Sequence, residues 1–455
     1  MKRKVKISQC MIVKNEENNI RRALTWCRDI ADEQIVVDTG SQDATVEIAR
    51  ELGAKVYHFD WIDDFAAAKN YAIKKAKGDW IVFLDADEYL RPEDVKKLAF
   101  RLDSLGLATC HGLVASWIQV DGSEDVLEEG QEKGKDRLKW QKSMKADGTV
   151  GMALSGTQIR IFRNLPGLRY RGRIHEKLFF EKGELLCEDA SRELAIYHTG
   201  YTPAELEGKK KVERNIALVK KELEDHPRDY KLMSYLGDSY FQQKKQEEAA
   251  IWYEQAVRHL PRQLEEDFIQ AALIFKHLLL IYMDSSRESA AVKAYQEGVR
   301  RFPQEADYDY LLGRWYARKQ QFGKGSYHLQ RAITLLDRYG SGVTSALLAH
   351  NLMEAWELLA ICHYENGDLQ QCVSCSVTIL KADPWREEAL RTLLAAFRQD
   401  EATPPVQVVK FLMNFYDFQK PEACSFVERE AKDAGYGRLE EALEGFKDTA
   451  HKGAP

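Results

Sequence analysis

The stretch Phe83-Leu84-Asp85-Ala86-Asp87-Glu88 sets two carboxylates one residue apart at the end of an apolar run. Two bare carboxylates repel an anion, but their hard oxygens suit Mg²⁺ or Mn²⁺, and a cation held there grips a diphosphate. Alone such a pair is weak, because Asp after a strand often only opens a turn. Three further residues strengthen it. Glu17 follows the first expected strand, Asp38 ends the second, and Lys69 lies on the helix between the third and fourth. Ligands of open α/β sheets bind beyond the carboxyl ends of the strands, so these acids converge on one sheet edge. Two later residues have competing readings. His198 ends a strand, where most histidines simply hydrogen-bond. Glu176 sits beside Arg173 and Lys177, with which a plain ion pair is equally consistent.

The elements that must position these groups alternate. Ile7–Val13, Gln34–Asp38, Lys55–Phe59 and Trp80–Leu84 read as strands. Asn15 to Ala31, Thr45–Leu52, Phe65–Ala76 and Pro92–Leu102 read as helices. Strand–helix alternation with wholly apolar strands predicts βαβ units and a parallel sheet covered on both faces. Gly112–Val120, Thr157–Arg163 and Leu194–His198 add strands, and the charged, glycine-punctuated Gly122 to Gly148 reads as a loop or hairpin tip.

The order Val13-Lys14-Asn15-Glu16-Glu17, Asp38-Thr39-Gly40-Ser41-Gln42-Asp43, Ala66-Ala67-Ala68-Lys69-Asn70 and then Asp85-Ala86-Asp87 resembles the family 2 glycosyltransferases of GT-A fold, over roughly residues 5–200. That resemblance implies an α/β, Rossmann-like domain with a mixed sheet. It implies that Val13 and Glu17 face the nucleoside of a UDP-sugar, that Asp38 meets the base, and that Lys69 lies near base or phosphate. Asp85, Ala86 and Asp87 would contact the nucleotide sugar. Arg160-Ile161-Phe162-Arg163, Tyr170-Arg171-Gly172-Arg173-Ile174-His175-Glu176 and Tyr197-His198-Thr199-Gly200-Tyr201 sharpen the match. Glu176 falls 91 residues after Asp85, the family's interval to its catalytic base, with His175 as the other candidate base or as its orienter. His198 would join Asp87, and Asp85 directly or through water, around the divalent metal. With the repeats described next, these strings resemble the bacterial peptide S-glycosyltransferases of sublancin type, and Ile174-His175-Glu176 also resembles certain lipopolysaccharide-core transferases. A nucleotidyltransferase would want a glycine- and arginine-rich loop after the first strand, where Lys14-Asn15-Glu16-Glu17 stands. A non-catalytic repeat scaffold is the remaining alternative.

From Pro203 onward the signal is helical and periodic. Units starting at Tyr230, Ala272, Ala306 and Met353 all carry Leu at offset 7 and a small residue at offset 20 (Ala249, Ala291, Gly325, Cys372). Three of the four have a small residue at offset 8 (Gly237, Gly313, Ala360) and at offset 27 (Ala256, Gly298, Ala332), and the first three have Tyr at offset 11 and Tyr or Leu at offset 24. That is the 34-residue tetratricopeptide pattern, in which helix pairs stack into a grooved solenoid. The expected domains are 1–202 catalytic, 203–227 a linker helix, 228–400 repeats and 401–455 a helical cap. The groove suits a peptide or protein acceptor, and a homodimer interface is its other use.

With 66 Lys+Arg against 72 Asp+Glu, the chain has a formal charge of −6 and lacks the basic footprint of a nucleic-acid binder. The longest apolar stretch, Ala271 to Met283, is broken by Lys276 and His277 and is short for a membrane span. Eight scattered cysteines include one CxxC, Cys372 and Cys375, inside a helical pattern with no second pair to complete a zinc site. A cytoplasmic protein is expected.

Overall fold

A computed structural model of the chain describes residues 5–105, 110–121, 141–142, 151–199, 209–264, 268–340, 346–400 and 402–452. The chain divides into two units, Met1–Pro227 and Arg228–Pro455.

In the first unit β1 (Ile7–Val13), β2 (Glu33–Asp38), β3 (Lys55–His58) and β4 (Trp80–Phe83) pair in parallel in the order 3-2-1-4. The sheet then turns mixed. The long β8 (Gly151–Arg163) runs antiparallel between β4 and β6 (Gly112–Asp121), and β12 (Ala195–His198) and the two-residue β5 (Glu88–Tyr89) complete the far edge. The continuous apolar character of β4 follows from its position. Trp80 and Val82 pack on one face with Leu98 and Leu102 of α4 (Pro92–Leu105). Ile81 and Phe83 pack on the other with Ala66 and Ala72 of α3 (Phe65–Lys75). The alanines of α3 let that helix lie close to the sheet, and Asp64 caps it by accepting from the Ala67 amide.

The helix expected from Asn15 to Ala31 is regular only over α1 (Ile20–Thr25). Asn15 adopts a left-handed backbone, φ +58°, and its amide donates to Ser41 Oγ, so the chain makes a turn against the β2 loop before any helix can start. The α2 helix (Thr45–Glu51) matches its expected start. Most of the expected loop at Gly122 to Gly148 lies outside the described residues. Gln141 and Lys142 form β7, a short antiparallel partner of β8. The hairpin of β9 (Leu168–Arg171) and β10 (Lys177–Phe180) lies off the main sheet, and β11 (Cys187–Asp189) pairs with β6. The unit's last helix, α5 (Lys209–Asp225), falls within the stretch expected to be a linker helix.

The second unit is helical. The pairs α6/α7 (Tyr230–Gln242, Gln246–His259), α8/α9 (Phe268–Asp284, Glu288–Arg301), α10/α11 (Ala306–Arg318, Phe322–Tyr339) and α13/α14 (Leu352–Glu365, Leu369–Ala382) coincide with the four periodic units. The short α12 (Ala346–His350) fills the insertion before the last pair, and α15 to α18 (Glu387–Gln399, Pro405–Leu412, Pro421–Asp433, Gly437–Lys452) follow. The repeat register is visible in the backbone. Lys244, Ser286, Gln320 and Gly367 each occupy position 15 of their unit, and all four have positive φ, from 56° to 78°. The offset-8 glycines are spacers. A Cβ on Gly237 would lie 2.5 Å from the Tyr253 ring, and one on Gly313 2.8 Å from Leu329. Among the described residues no helix is long and apolar enough to cross a membrane.

Candidate active site

Because β1, β2 and β4 are parallel neighbours, their carboxyl ends share one edge. The residues gathered there form two groups. The first is a buried ion cluster. Lys69, one turn into α3, is 2% exposed. Its Nζ lies 2.6 Å from Glu176 Oε1 and 3.4 Å from Asp85 Oδ1, above the rings of Phe83 and Tyr170. Arg160, on β8, approaches the other oxygen of Asp85 at 3.0 Å and Glu88 Oε1 at 3.1 Å. Glu88 is buried, accepts from the Trp117 indole at 2.9 Å, and accepts the Asp85 amide at 2.9 Å. Burial disfavours every charge here, yet the pairing wins for most of them. Asp85 is held well below the usual carboxylate range because Lys69 and Arg160 outweigh its desolvation. Lys69 and Arg160 are held above their ordinary values by the carboxylates facing them. For Glu88 burial prevails and its carboxyl is raised, with Arg160 opposing and Asp85 adding to the rise. Burial pushes the Tyr170 phenol up to about 12.

The second group is the pair Asp87 and His198. His198 Nε2 stands 3.2 Å from Asp87 Oδ2, and its Nδ1 lies 2.9 Å from Gln119 Oε1. The Trp117 ring packs on the imidazole at 4.6 Å. Burial would lower the His198 value, but the hydrogen bond to Asp87 raises it. Thr199 ties the following turn back, donating its amide to the Asp87 carbonyl and accepting from Arg22 at 2.7 Å. The strand pairing of β12 with β5 and β6 creates this group, since it places His198 opposite Glu88 and Gln119.

The remaining expected residues sit on the β1 and β2 side. Val13 is buried with Ala86 in one apolar cluster, so the backbone between the two aspartates is anchored on the end of β1. Asp38 is buried, and its oxygens accept the amides of Gly40 and Ser41 at 3.2 and 3.0 Å. Glu17 is exposed and accepts the Ala44 amide at 3.1 Å. His175 is exposed with φ +53°, whereas its neighbour Glu176 turns inward onto Lys69. Of the three expected metal ligands, Asp87 and His198 meet, and Asp85 has both oxygens on cations. Among the described residues no cluster of three or more His, Cys, Asp or Glu is arranged to hold a metal. A carboxylate oxygen and an oriented imidazole nitrogen nevertheless suit a divalent ion that keeps most of its positions for phosphate and water.

Several cluster members carried no expected role. Arg160 and Glu88 stood within the quoted strings, and a lone Arg on an alternating strand was the available signal. Trp117 and Gln119 left none, because only the pairing of distant strands brings them here, and Tyr170 stood at the head of the string that leads to Glu176. Asn70 is a further one. Its side chain accepts the Tyr170 amide and donates to the Tyr170 carbonyl, both at 2.9 Å, and so stitches α3 to β9 as a strand would.

Residues 8–154 match the model of glycosyl transferase family 2, and residues 215–263 match that of a tetratricopeptide repeat. The first unit carries a family 2 glycosyltransferase domain. The chain is 32% identical over 258 residues to a TPR repeat-containing protein of Synechococcus elongatus, covering 55% of this chain and 56% of that one. It is 26% identical over 273 residues to the SPbeta prophage-derived glycosyltransferase SunS of Bacillus subtilis, covering 59% and 58%. The chain thus spans little more than half the length of these relatives. Among solved structures, YrrB, a TPR protein with an unusual peptide-binding site, aligns with 50% of this chain and 97% of its own at 17% identity. Its TM-score of 0.34 is too low to bear on the fold.

Proposed function

We propose that the family 2 domain moves a hexose from a UDP-sugar to a nucleophile on a peptide or protein side chain, inverting the anomeric centre. The observation that carries this reading is the shared ammonium. Lys69 holds Glu176 within 2.6 Å and the first aspartate of the Asp85–Asp87 pair within 3.4 Å, so a carboxylate base stands beside the donor-binding acids.

Asp87 and His198 would hold a divalent cation, Mg²⁺ or Mn²⁺, which when bound neutralises the departing diphosphate. The chain's own residues do the rest. Val13, Glu17 and Asp38 line the edge assigned to the nucleoside. Asp85, neutralised by Lys69 and Arg160, fixes the loop that carries Ala86 and Asp87. Glu176 accepts the acceptor's proton as the nucleophile attacks. Attack opposite the leaving diphosphate is a single displacement, so one base suffices and no sugar–enzyme bond forms. His175, exposed and in a left-handed backbone conformation, serves the bend that turns Glu176 inward. The repeats supply the surface for the acceptor chain, since stacked helix pairs form an extended concave face.

A screen of UDP-, GDP- and TDP-hexoses against the purified full chain tests the proposal. Slow hydrolysis of a UDP-hexose, dependent on added metal, is expected. Cleavage of no nucleotide sugar would return the chain to the scaffold reading.

A further inference from the structure

Glu176 is delivered by a tight loop. Between β9 and β10 the chain reads Gly172-Arg173-Ile174-His175-Glu176 and contains two left-handed residues, Gly172 at φ +96° and His175 at φ +53°. A positive φ at a non-glycine residue is strained and persists only where the surroundings enforce it. Buried Ile174 pins the loop's middle. Its first half is pinned by α5. Glu222, 7% exposed, accepts both the Arg173 amide at 3.3 Å and the Arg173 guanidinium at 3.1 Å. Asp225, one turn on, accepts the same guanidinium nitrogen at 2.6 Å. The Arg173 carbonyl in turn accepts the Phe65 amide, the first residue of α3, at 2.9 Å. Lys69 follows one turn along that helix and closes the circuit on Glu176. Two more contacts seat α5 on the same corner, Lys221 with Asp63 at 3.6 Å and the Arg214 guanidinium over the Phe65 ring at 5.2 Å.

We propose that Glu222, with Asp225, is a positioning residue for the reaction: through Arg173 it locks the Gly172–Glu176 loop against the start of α3 and so fixes the Glu176 carboxylate on Lys69. The proposal rests on the reading of Glu176 as the base. Glu222 touches none of the reacting groups. It acts through one backbone amide, one guanidinium and the helix start beyond them. Its burial distinguishes it from an ordinary surface partner: once Glu222 is gone the exposed Asp225 still meets the Arg173 guanidinium, but the contact that fixes the Arg173 backbone amide is lost. Displacing a catalytic group by about 1 Å costs about 10²-fold in rate, so partial release of the loop is expected to slow turnover while donor binding, which draws on Val13, Glu17, Asp38 and Asp87 outside α3 and the loop, changes little.

The test uses the full chain with Glu222→Gln, Glu222→Ala and Asp225→Asn, beside Glu176→Gln, with UDP-hexose turnover, UDP affinity, melting temperature and amide exchange measured on each. Glu222→Ala is expected to lower kcat about 10- to 100-fold, with UDP affinity within twofold of wild type. Exchange at Phe65 and over 172–176 should quicken, while the remainder of α3 stays protected. Glu222→Gln keeps the volume and should fall between, and exposed Asp225→Asn, which cannot unfold the domain, should cost a few-fold. Wild-type kcat in the Glu222 variants while Glu176→Gln is inactive would overturn the positioning role alone. Wild-type kcat in Glu176→Gln would overturn the base assignment instead. Loss of UDP affinity and turnover together, with exchange quickened throughout the unit, would show a merely structural role.

Discussion

Lys69→Met removes the charge that both halves of the proposed chemistry share while keeping the length of the side chain. At an effective dielectric of about 20, an ammonium 2.6 Å from one carboxylate and 3.4 Å from another gains about 5–6 kcal/mol from each. Burying the ammonium costs several kcal/mol that methionine does not incur. Breaking a buried pair by removing one partner costs about 3–5 kcal/mol in practice. Arg160 remains on Asp85 at 3.0 Å, so the lower end, about 3 kcal/mol, is expected. For a unit of this size that is a fall of roughly 6–12 °C in its melting temperature. Scanning calorimetry on the full chain, with the repeat unit's transition as internal reference, reads it directly. A shift below about 1 kcal/mol, with Glu176 and Asp85 still in place, would show that the carboxylates repack onto solvent or Arg160 and that the shared ammonium does not organise the site.

Other consequences are as specific. Asp87→Ala should weaken UDP binding in Mn²⁺ about tenfold or more while leaving binding in EDTA unchanged. Equal wild-type affinity in Mn²⁺ and EDTA would remove the metal from Asp87 and His198. Gly237→Ala should destabilise the repeat unit by about 1–2 kcal/mol, because overpacking against the Tyr253 ring exceeds the helix propensity gained. That ring cannot swing aside freely, since its hydroxyl donates to Asp238 and contacts His277. A neutral or stabilising result in urea titration would contradict that packing. Burial holds the His363 imidazole below its ordinary value, against the pull of Asp368. The unfolded chain therefore takes up that proton first as pH falls below about 6.5. Repeat-unit stability should decline from pH 7 to pH 5, and His363→Gln should flatten the slope. An unchanged slope would assign it to other groups.

Local pattern carried far in this chain, and its failures have physical causes. The apolar strands ending in Val13, Asp38 and Phe83 are visible because each is buried on both faces, and Asp85 and Asp87 stand out against them. The four repeats are visible because close helix pairing imposes small residues at fixed offsets, of which Gly237 and Gly313 are the tightest. What stayed hidden depends on pairing between distant segments. β8 enters the sheet antiparallel between β4 and β6, and only that insertion carries Arg160 to Asp85 and Glu88. Gln119 meets His198 only through the β6–β12 register. The Asn15 to Ala31 helix failed for a local reason, since Asn15 exchanges helix for a left-handed turn bonded to Ser41 and Gln42. Glu222 lies on an amphipathic helix, where an acid at a half-covered position looks like any solvated charge.

In the proposed reaction Glu176 is the group that takes the acceptor's proton. Glu176→Gln keeps the shape and a hydrogen bond to Lys69 but has no basic carboxylate. Turnover of the UDP-hexose and UDP affinity, measured side by side on wild type, Glu176→Gln and His175→Ala, decide it. A loss of about 10²–10⁴ in kcat is expected for Glu176→Gln with UDP affinity intact, and a smaller loss for His175→Ala. Near wild-type turnover in Glu176→Gln, or a larger loss in His175→Ala, would contradict it.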